Sequence, residues 1–218
     1  LLQERSASYA DVNVAAAGVQ VTIDNSTVNC NDNNTTEGES YAALCLNKAA
    51  VGASIVATNS TINVTEGSDS EKGRNGAENG TVTINGSTDG VAVMVAAITY
   101  AGSDYYYAFA TLEEAIEFAK AGDVVTLIRD VTTSAQININ KNVVIDGCDK
   151  KLTYTGTDRA FQITGGTVAI SNLTIDMPNA AEGNRGINLY NGDTNAALDV
   201  TLNNVTIESA RHGVRVES

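Results

Sequence analysis

The stretch VTLNNVTIES, residues 200–209, decides the fold because its pattern recurs along the chain. The other copies are VTIDNSTVNC at 21–30, IVATNSTINV at 55–64 and VAISNLTIDM at 168–177. All of them follow one order, with few lapses: apolar, any, apolar, any, Asn, any, Thr, apolar, any, apolar. A ten-position pattern that recurs in this way indicates an internal structural repeat.

The spacing of the apolar residues predicts a bend at each asparagine. Val200 and Leu202 precede Asn204 by even numbers of residues, whereas Ile207 follows it by an odd number. A single strand turns alternate side chains to one face, so this change of spacing requires a corner. Asparagine suits a corner because it tolerates left-handed backbone, and its amide can bond to an asparagine stacked above it. We predict a structural ladder of Asn25, Asn59, Asn172 and Asn204.

A third strand type completes the repeat in the C-terminal half. FQI at 161–163, INL at 187–189 and VRV at 214–216 recur at intervals of 26 and 27 residues, and LCL at 44–46 is an earlier copy. Three strands would then form each coil, with neighbouring coils about 4.8 Å apart. We predict an all-β fold, a right-handed parallel β-helix with one short capping helix. A β-sandwich would need antiparallel hairpins and would not repeat equivalent positions at one coil length.

One helix is predicted at about 111–120. Thr111 and Glu114 form a capping box, and Gly122 stands where a C-cap glycine belongs. A short amphipathic helix before a regular coil is typical of the cap over the open end of a solenoid. We therefore predict two modules. They are 1–97, the C-terminal part of a first β-helix, and 98–218, a second β-helix truncated at its C-terminus.

Two polar stretches interrupt the repeat. Residues 31–40 and 66–80 are predicted to be loops inserted between coils, and strands resume at Thr81–Ile84 and at 91–95. The register of the coils between 66 and 97 stays open at this point.

The composition excludes several classes of partner. The 218 residues carry 13 basic and 26 acidic side chains, a net charge of −13, which repels nucleic acid and anionic membranes. No apolar run is long enough to insert into a membrane. The three cysteines lack metal-ligand spacing, and their odd number argues against a disulfide framework, although a Cys30–Cys45 bridge stays open. No cofactor is expected.

Residues 105–156 resemble the start of pectate-lyase-like right-handed β-helix modules, which occur in large adhesin-like surface proteins of bacteria. TLEEAIEFAKAGDVVTLIRD at 111–130 and NKNVVIDG at 140–147 carry the resemblance. It implies a right-handed helix and an extracellular location on a bacterial cell surface, as part of a larger protein. It does not imply an activity, because fold and function separate easily in such folds.

Asp176 and Glu208 occupy the same position of successive repeats and should stack on an outward column. Two carboxylates about 5 Å apart could act as an acid–base or nucleophile pair, or bind Ca²⁺. They are also typical of solvated surface carboxylates.

Gln162, Asn188 and Arg215 form a second outward column, which would suit an extended glycan but is equally typical of a solvated sheet face. Arg211 and the only histidine, His212, lie close by in the sequence. We interpret His212 as a turn residue. Tyr105, Tyr106 and Tyr107 could stack on sugars, or could belong to an edge strand before the helix.

Two functions follow from these observations. The first is a non-catalytic cell-surface scaffold or adhesin-like module that binds a glycan or a protein on the host or cell surface. The second is a polysaccharide lyase or glycoside hydrolase acting on acidic polysaccharides. The second needs Asp176 and Glu208 to converge with Arg211 or Arg215.

Overall fold

The structure is a computed structural model. It describes residues 2–4, 10–30, 42–46, 49–64, 75–77, 80–89, 91–99, 106–179, 184–192 and 198–217. These residues form an all-β protein with one short helix. The predicted loop at 31–40 lies outside the described residues, as does most of the predicted loop at 66–80. The exceptions are Gly80 and Asn75–Ala77, and the latter is a strand rather than a loop because it pairs with strands on both sides.

The elements follow one another in this order. The first ten strands are β1 (Leu2–Glu4), β2 (Ala10–Val14), β3 (Gln20–Asp24), β4 (Thr27–Cys30), β5 (Ala42–Leu46), β6 (Ser54–Thr58), β7 (Thr61–Val64), β8 (Asn75–Ala77), β9 (Thr81–Ile84) and β10 (Val91–Val93). Then come β11 (Ala96–Thr99), β12 (Tyr106–Phe109), α1 (Leu112–Phe118), β13 (Val124–Leu127), β14 (Val131–Thr133), β15 (Ile137–Ile139), β16 (Val143–Tyr154), β17 (Arg159–Ile163), β18 (Gly166–Asp176), β19 (Arg185–Tyr190), β20 (Leu198–Glu208) and β21 (His212–Glu217).

The chain divides into two compact units. The first unit comprises residues 1–94 and 102–110, and the second comprises 95–101 and 111–218. The boundary predicted between 97 and 98 therefore falls inside a short segment that packs with the second unit.

In the first unit, parallel pairs join β2 to β5, β5 to β8 and β8 to β10. Parallel pairs also join β3 to β6, β6 to β9, and β4 to β7. The pair of β1 and β12 is antiparallel. Val21 pairs with Ile55 and Val28 with Ile62, which is the register that the repeat predicted. The side chains between these strands form an apolar core of Val14, Cys30, Ala43, Leu44, Leu46, Ala50, Ala53, Ile55 and Val82.

In the second unit, β13, β16, β18 and β20 form one parallel series, with β14 also paired to β16. The strands β15, β17, β19 and β21 form another. The sheets are mixed, because β11 pairs antiparallel with β13. Phe161 pairs with Ile187, and Ile187 with Val214, so the register predicted for the third strand type is confirmed. Phe161 and Ile187 are fully buried.

The backbone turns at each asparagine of the predicted ladder. Asn25, Asn59, Asn172 and Asn204 have φ between 45° and 54°, the left-handed region. Asn85, which the repeat did not identify, has φ 51°.

The helix α1 begins as predicted. Thr111 Oγ1 accepts a hydrogen bond of 3.1 Å from the backbone N–H of Glu114. The end differs from the prediction, because Ala119 is the C-cap and Gly122, with φ 93°, lies in the turn beyond it. Lys141 Nζ donates to the carbonyls of Glu117 (2.6 Å) and Ala119 (2.7 Å), so a lysine satisfies helix-end carbonyls without a glycine cap.

None of the three cysteines forms a disulfide. Cys30 and Cys45 are buried and Cys148 is exposed. The disulfide that the sequence left open between Cys30 and Cys45 is therefore not formed.

Candidate functional site

The register brings Gln162, Asn188 and Arg215 together as neighbours on β17, β19 and β21. Two of them are not solvated, however, since Gln162 is 7% exposed and Asn188 is 0% exposed. Asn188 Nδ2 donates to Gln162 Oε1 at 3.0 Å and to Glu217 Oε2 at 2.9 Å. The interpretation of this column as a plain solvated face is wrong for these two amides, because they are buried and bonded to each other.

Glu217 is the centre of this group, and the sequence analysis missed it. Its Oε1 lies 3.3 Å from Arg185 Nη2 and 2.8 Å from Arg215 Nη2. The hydrogen bond from Asn188 lowers the pKa of Glu217, and the positive charges of Arg185 and Arg215 lower it further. Glu217 therefore stays ionised at neutral pH.

A second carboxylate extends the charged network. Asp158 Oδ1 lies 3.5 Å from Arg185 Nη1 and 3.3 Å from Arg159 Nε. Three arginines on β17, β19 and β21 thus alternate with two carboxylates, Glu217 on β21 and Asp158 directly before β17. The group has a surplus of one positive charge. That surplus stands out on a chain whose net charge is −13.

Tyr190 supplies an aromatic ring beside the charged network. It pairs with Glu217 across β19 and β21, and its side chain is 40% exposed. Gly192 leaves room for the ring, since a Cβ there would lie 3.2 Å from a ring carbon of Tyr190. Tyr190 follows Asn188 by two residues, so strand alternation would have assigned it to the same face. We name Gln162, Asn188, Tyr190, Arg215 and Glu217 the side face.

No family model, no curated protein and no solved structure matches this chain.

Asp176 and Glu208 lie where the repeat places them, as neighbours on β18 and β20. Asp176 Oδ2 lies 3.7 Å from Lys151 Nζ, while Arg215 pairs with Glu217 on the other sheet. These ion pairs join Asp176 to Lys151 and Arg215 to Glu217, and neither joins Asp176 to Arg215. Within the described ranges, no group of three or more His, Cys, Asp or Glu side chains is placed to hold a metal ion.

Arg211 and His212 lie at the start of β21. Arg211 is exposed in the turn before the strand. His212 is the first residue of β21 and pairs with Arg185, so its interpretation as a turn residue is wrong. The turn ends one residue earlier.

The predicted tyrosine platform is only partly covered by the structure. Tyr105 lies outside the described residues, as do the rings of Tyr106 and Tyr107, whose backbone belongs to β12. Among the helices of the described part, none has the length and apolar character needed to cross a membrane.

Proposed function

We propose that this chain belongs to a non-catalytic, adhesin-like scaffold on a bacterial cell surface, and that the side face binds a glycan. We also propose that its strands form a right-handed parallel β-helix with three strands per coil. The in-register parallel pairs of β15, β17, β19 and β21 support this winding. The resemblance of residues 111–130 and 140–147 supports the handedness and the extracellular location.

The exposed ring of Tyr190 beside the Arg215–Glu217 ion pair carries the glycan proposal. A sugar ring presents an apolar face of C–H groups and an edge of hydroxyls. The Tyr190 ring suits the first. The Arg215 guanidinium, on a side chain 40% exposed, and the Glu217 carboxylate suit the second, as donor and acceptor respectively.

The state of Glu217 favours binding over hydrolysis. A glycoside hydrolase needs one carboxylic acid that stays protonated near neutral pH beside a second carboxylate. Asn188, Arg185 and Arg215 instead hold the pKa of Glu217 below its usual range. Asp158, the nearest carboxylate of the network, is paired with Arg159 and Arg185.

The test is a binding screen against host mucin glycans, pectins and other uronic-acid polysaccharides, with and without Ca²⁺. The strongest ligand is then titrated against Tyr190→Ala and Arg215→Ala. Removing the Tyr190 ring should weaken binding by at least about tenfold, because burying an aromatic side chain contributes about 1.5–3 kcal/mol. Lys151→Ala is the matched control, since it removes an exposed cation from a different sheet.

Equal binding by the wild type and both side-face variants would refute the side face as the glycan site. New chain ends detected by mass spectrometry would refute the non-catalytic assignment. That result would support the other function inferred from the sequence, a lyase or hydrolase of acidic polysaccharides.

A further inference from the structure

A second candidate site lies between α1 and β15, within the second unit. A partly open cavity of about 330 Å³ is lined by residues of the helix and of the segment 136–141. This volume lies at the lower end of the range for small-molecule sites. We name it the α1 cavity.

Two carboxylates line the helix side of the cavity. Glu113 and Glu117 are four residues apart and so share one face of α1, with Ile116 between them. Ile116 is 4% exposed and adds an apolar contact. Glu113 Oε1 is buried without a hydrogen-bond partner in the structure, which leaves one carboxylate oxygen of this residue unsatisfied.

Amides line the strand side. Asn138 lies on β15 between the buried Ile137 and Ile139, and Gln136 and Asn140 flank the strand two residues to either side of Asn138. Gln136 Nε2 donates to Asn138 Oδ1 at 2.7 Å, and Asn138 Nδ2 donates back to the Gln136 carbonyl at 3.3 Å. These two bonds fix the orientation of both amides before a ligand arrives.

Lys141 completes the lining and holds the two sides together. Its ammonium group has three N–H donors, and two of them bond to the carbonyls of Glu117 and Ala119. One donor therefore remains for a ligand. The same bonds connect the end of α1 to the residues after β15, so they hold the two sides of the cavity together.

We propose that the α1 cavity binds one neutral sugar residue through its hydroxyl groups. A hydroxyl both donates and accepts, as the amides and the mixture of carboxylates with one ammonium require. Glu113, Glu117 and Lys141 leave one net negative charge, which disfavours sulfate, phosphate or uronate. The α1 cavity shares no residue with the side face, although it adjoins it where Asn138 on β15 pairs with Gln162 on β17.

The test is a titration of the isotopically labelled protein with galactose, glucose, fucose and N-acetylglucosamine, followed by amide signals in NMR spectra. One of these sugars should shift the side-chain amide signals of Gln136 and Asn138 with a roughly millimolar dissociation constant, as expected for a ligand of this size. Asn138→Ala and Glu117→Ala should each weaken the binding of that sugar by about tenfold. Both residues are exposed, so the fold should persist.

Asn203→Ala is the matched control, an exposed amide on β20 that should leave the shifts unchanged. Tyr190→Ala should also leave them unchanged, which separates this site from the side face. Three outcomes would overturn the proposal. They are no shift at roughly 100 mM of any of the four sugars, equal affinity in Asn138→Ala, and the same shifts produced by Ca²⁺ alone.

Discussion

The two units share the Asn-centred motif but differ at the bend, both in the continuity of the strand and in the hydrogen bonds of the asparagine amide. In the second unit, β18 and β20 run through Asn172 and Asn204 without a break. Asn204 Nδ2 donates to Asn172 Oδ1 at 3.0 Å, and Asn172 Nδ2 to Asp146 Oδ1 at 3.0 Å. In the first unit the chain breaks into β3 and β4 around Asn25, whose amide bonds to the adjacent Asp24 instead.

The residue after the asparagine distinguishes the two corners. In the second unit it is Leu173, 2% exposed, which packs in the core. In the first unit it is Ser26 or Ser60, and Ser60 is 5% exposed. Ser60 Oγ donates to the Thr58 carbonyl at 2.8 Å and accepts from the Ser26 N–H at 3.1 Å. A serine that bonds to the backbone in this way competes with the strand ladder.

The asparagine sets the turn of the backbone, while the residue after it decides whether the strand continues. All four ladder asparagines share the same φ region, yet only the corners followed by Leu173 or Val205 lie within one unbroken strand.

Leu173→Ser places the first unit's residue in the second unit and should have the largest effect. It removes a buried leucine side chain, leaves a cavity and adds a hydroxyl, so the free energy of unfolding should fall by about 2–5 kcal/mol. Urea unfolding followed by circular dichroism measures the loss. Val205→Ser, at the equivalent but less buried position, is the control and should cost less. Equal losses would contradict the role assigned to burial of Leu173.

Asn172→Ala and Asn172→Gly separate the turn from the ladder bonds. Both lose the amide contacts with Asn204 and Asp146, but only alanine also strains the backbone at φ 51°. Alanine should therefore lower the unfolding free energy by about 1 kcal/mol more than glycine does. Asn25→Gly, where the amide bonds only to its neighbour, should cost less than Asn172→Gly. If the two glycine variants lose the same stability, the ladder contributes nothing.

Asp146 makes one corner of the second unit sensitive to acid. The backbone N–H of Cys148 lowers the pKa of Asp146 below its ordinary 3.8, and the Asn172 amide lowers it further. The folded protein then binds fewer protons than the unfolded chain, so this stabilisation is complete above the ordinary pKa. It disappears as the pH falls through the folded value.

Melting temperatures from pH 7 down to pH 2 measure this small effect. Asp146→Asn should flatten the acid part of the profile, whereas Asp199→Asn, an exposed carboxylate of the same unit, should not. An unchanged profile in Asp146→Asn would contradict the role of the carboxylate.

Much of the strand register could be predicted from the sequence, because it depends on spacing alone. The pairs of Val168 with Val200 and of Phe161 with Ile187 follow from aligning the repeats. The repeat did not identify Asn85, because the apolar residues around it lack the spacing of the motif. Its side-chain amide nevertheless bonds to the backbone of Ser60 at 2.8 Å and 3.0 Å.

The candidate site was less predictable. Alternation assigned Asn188 to the outer face, but hydrogen bonds to Gln162 and Glu217 made that amide fully buried. Such burial depends on which side chains meet across strands that lie far apart in sequence. Tyr190 and Glu217 were within reach of the same alternation rule, since each lies two residues beyond a predicted column residue. The α1 cavity depends on how α1 lies against β15, which no spacing in the sequence encodes.

The distance along the chain between strand partners bears on how the second unit assembles. Val124 pairs with Val144, 20 residues on, and Gly166 with Leu198, 32 residues on. The entropy cost of closing a loop grows only with the logarithm of its length. The cost of adding a strand is therefore similar for separations of 20 and 32 residues. Growth can therefore proceed one strand after another from any pair that forms first. Insertions between partners should slow that growth only slightly, which makes the loops of this unit its most tolerant places for change in length.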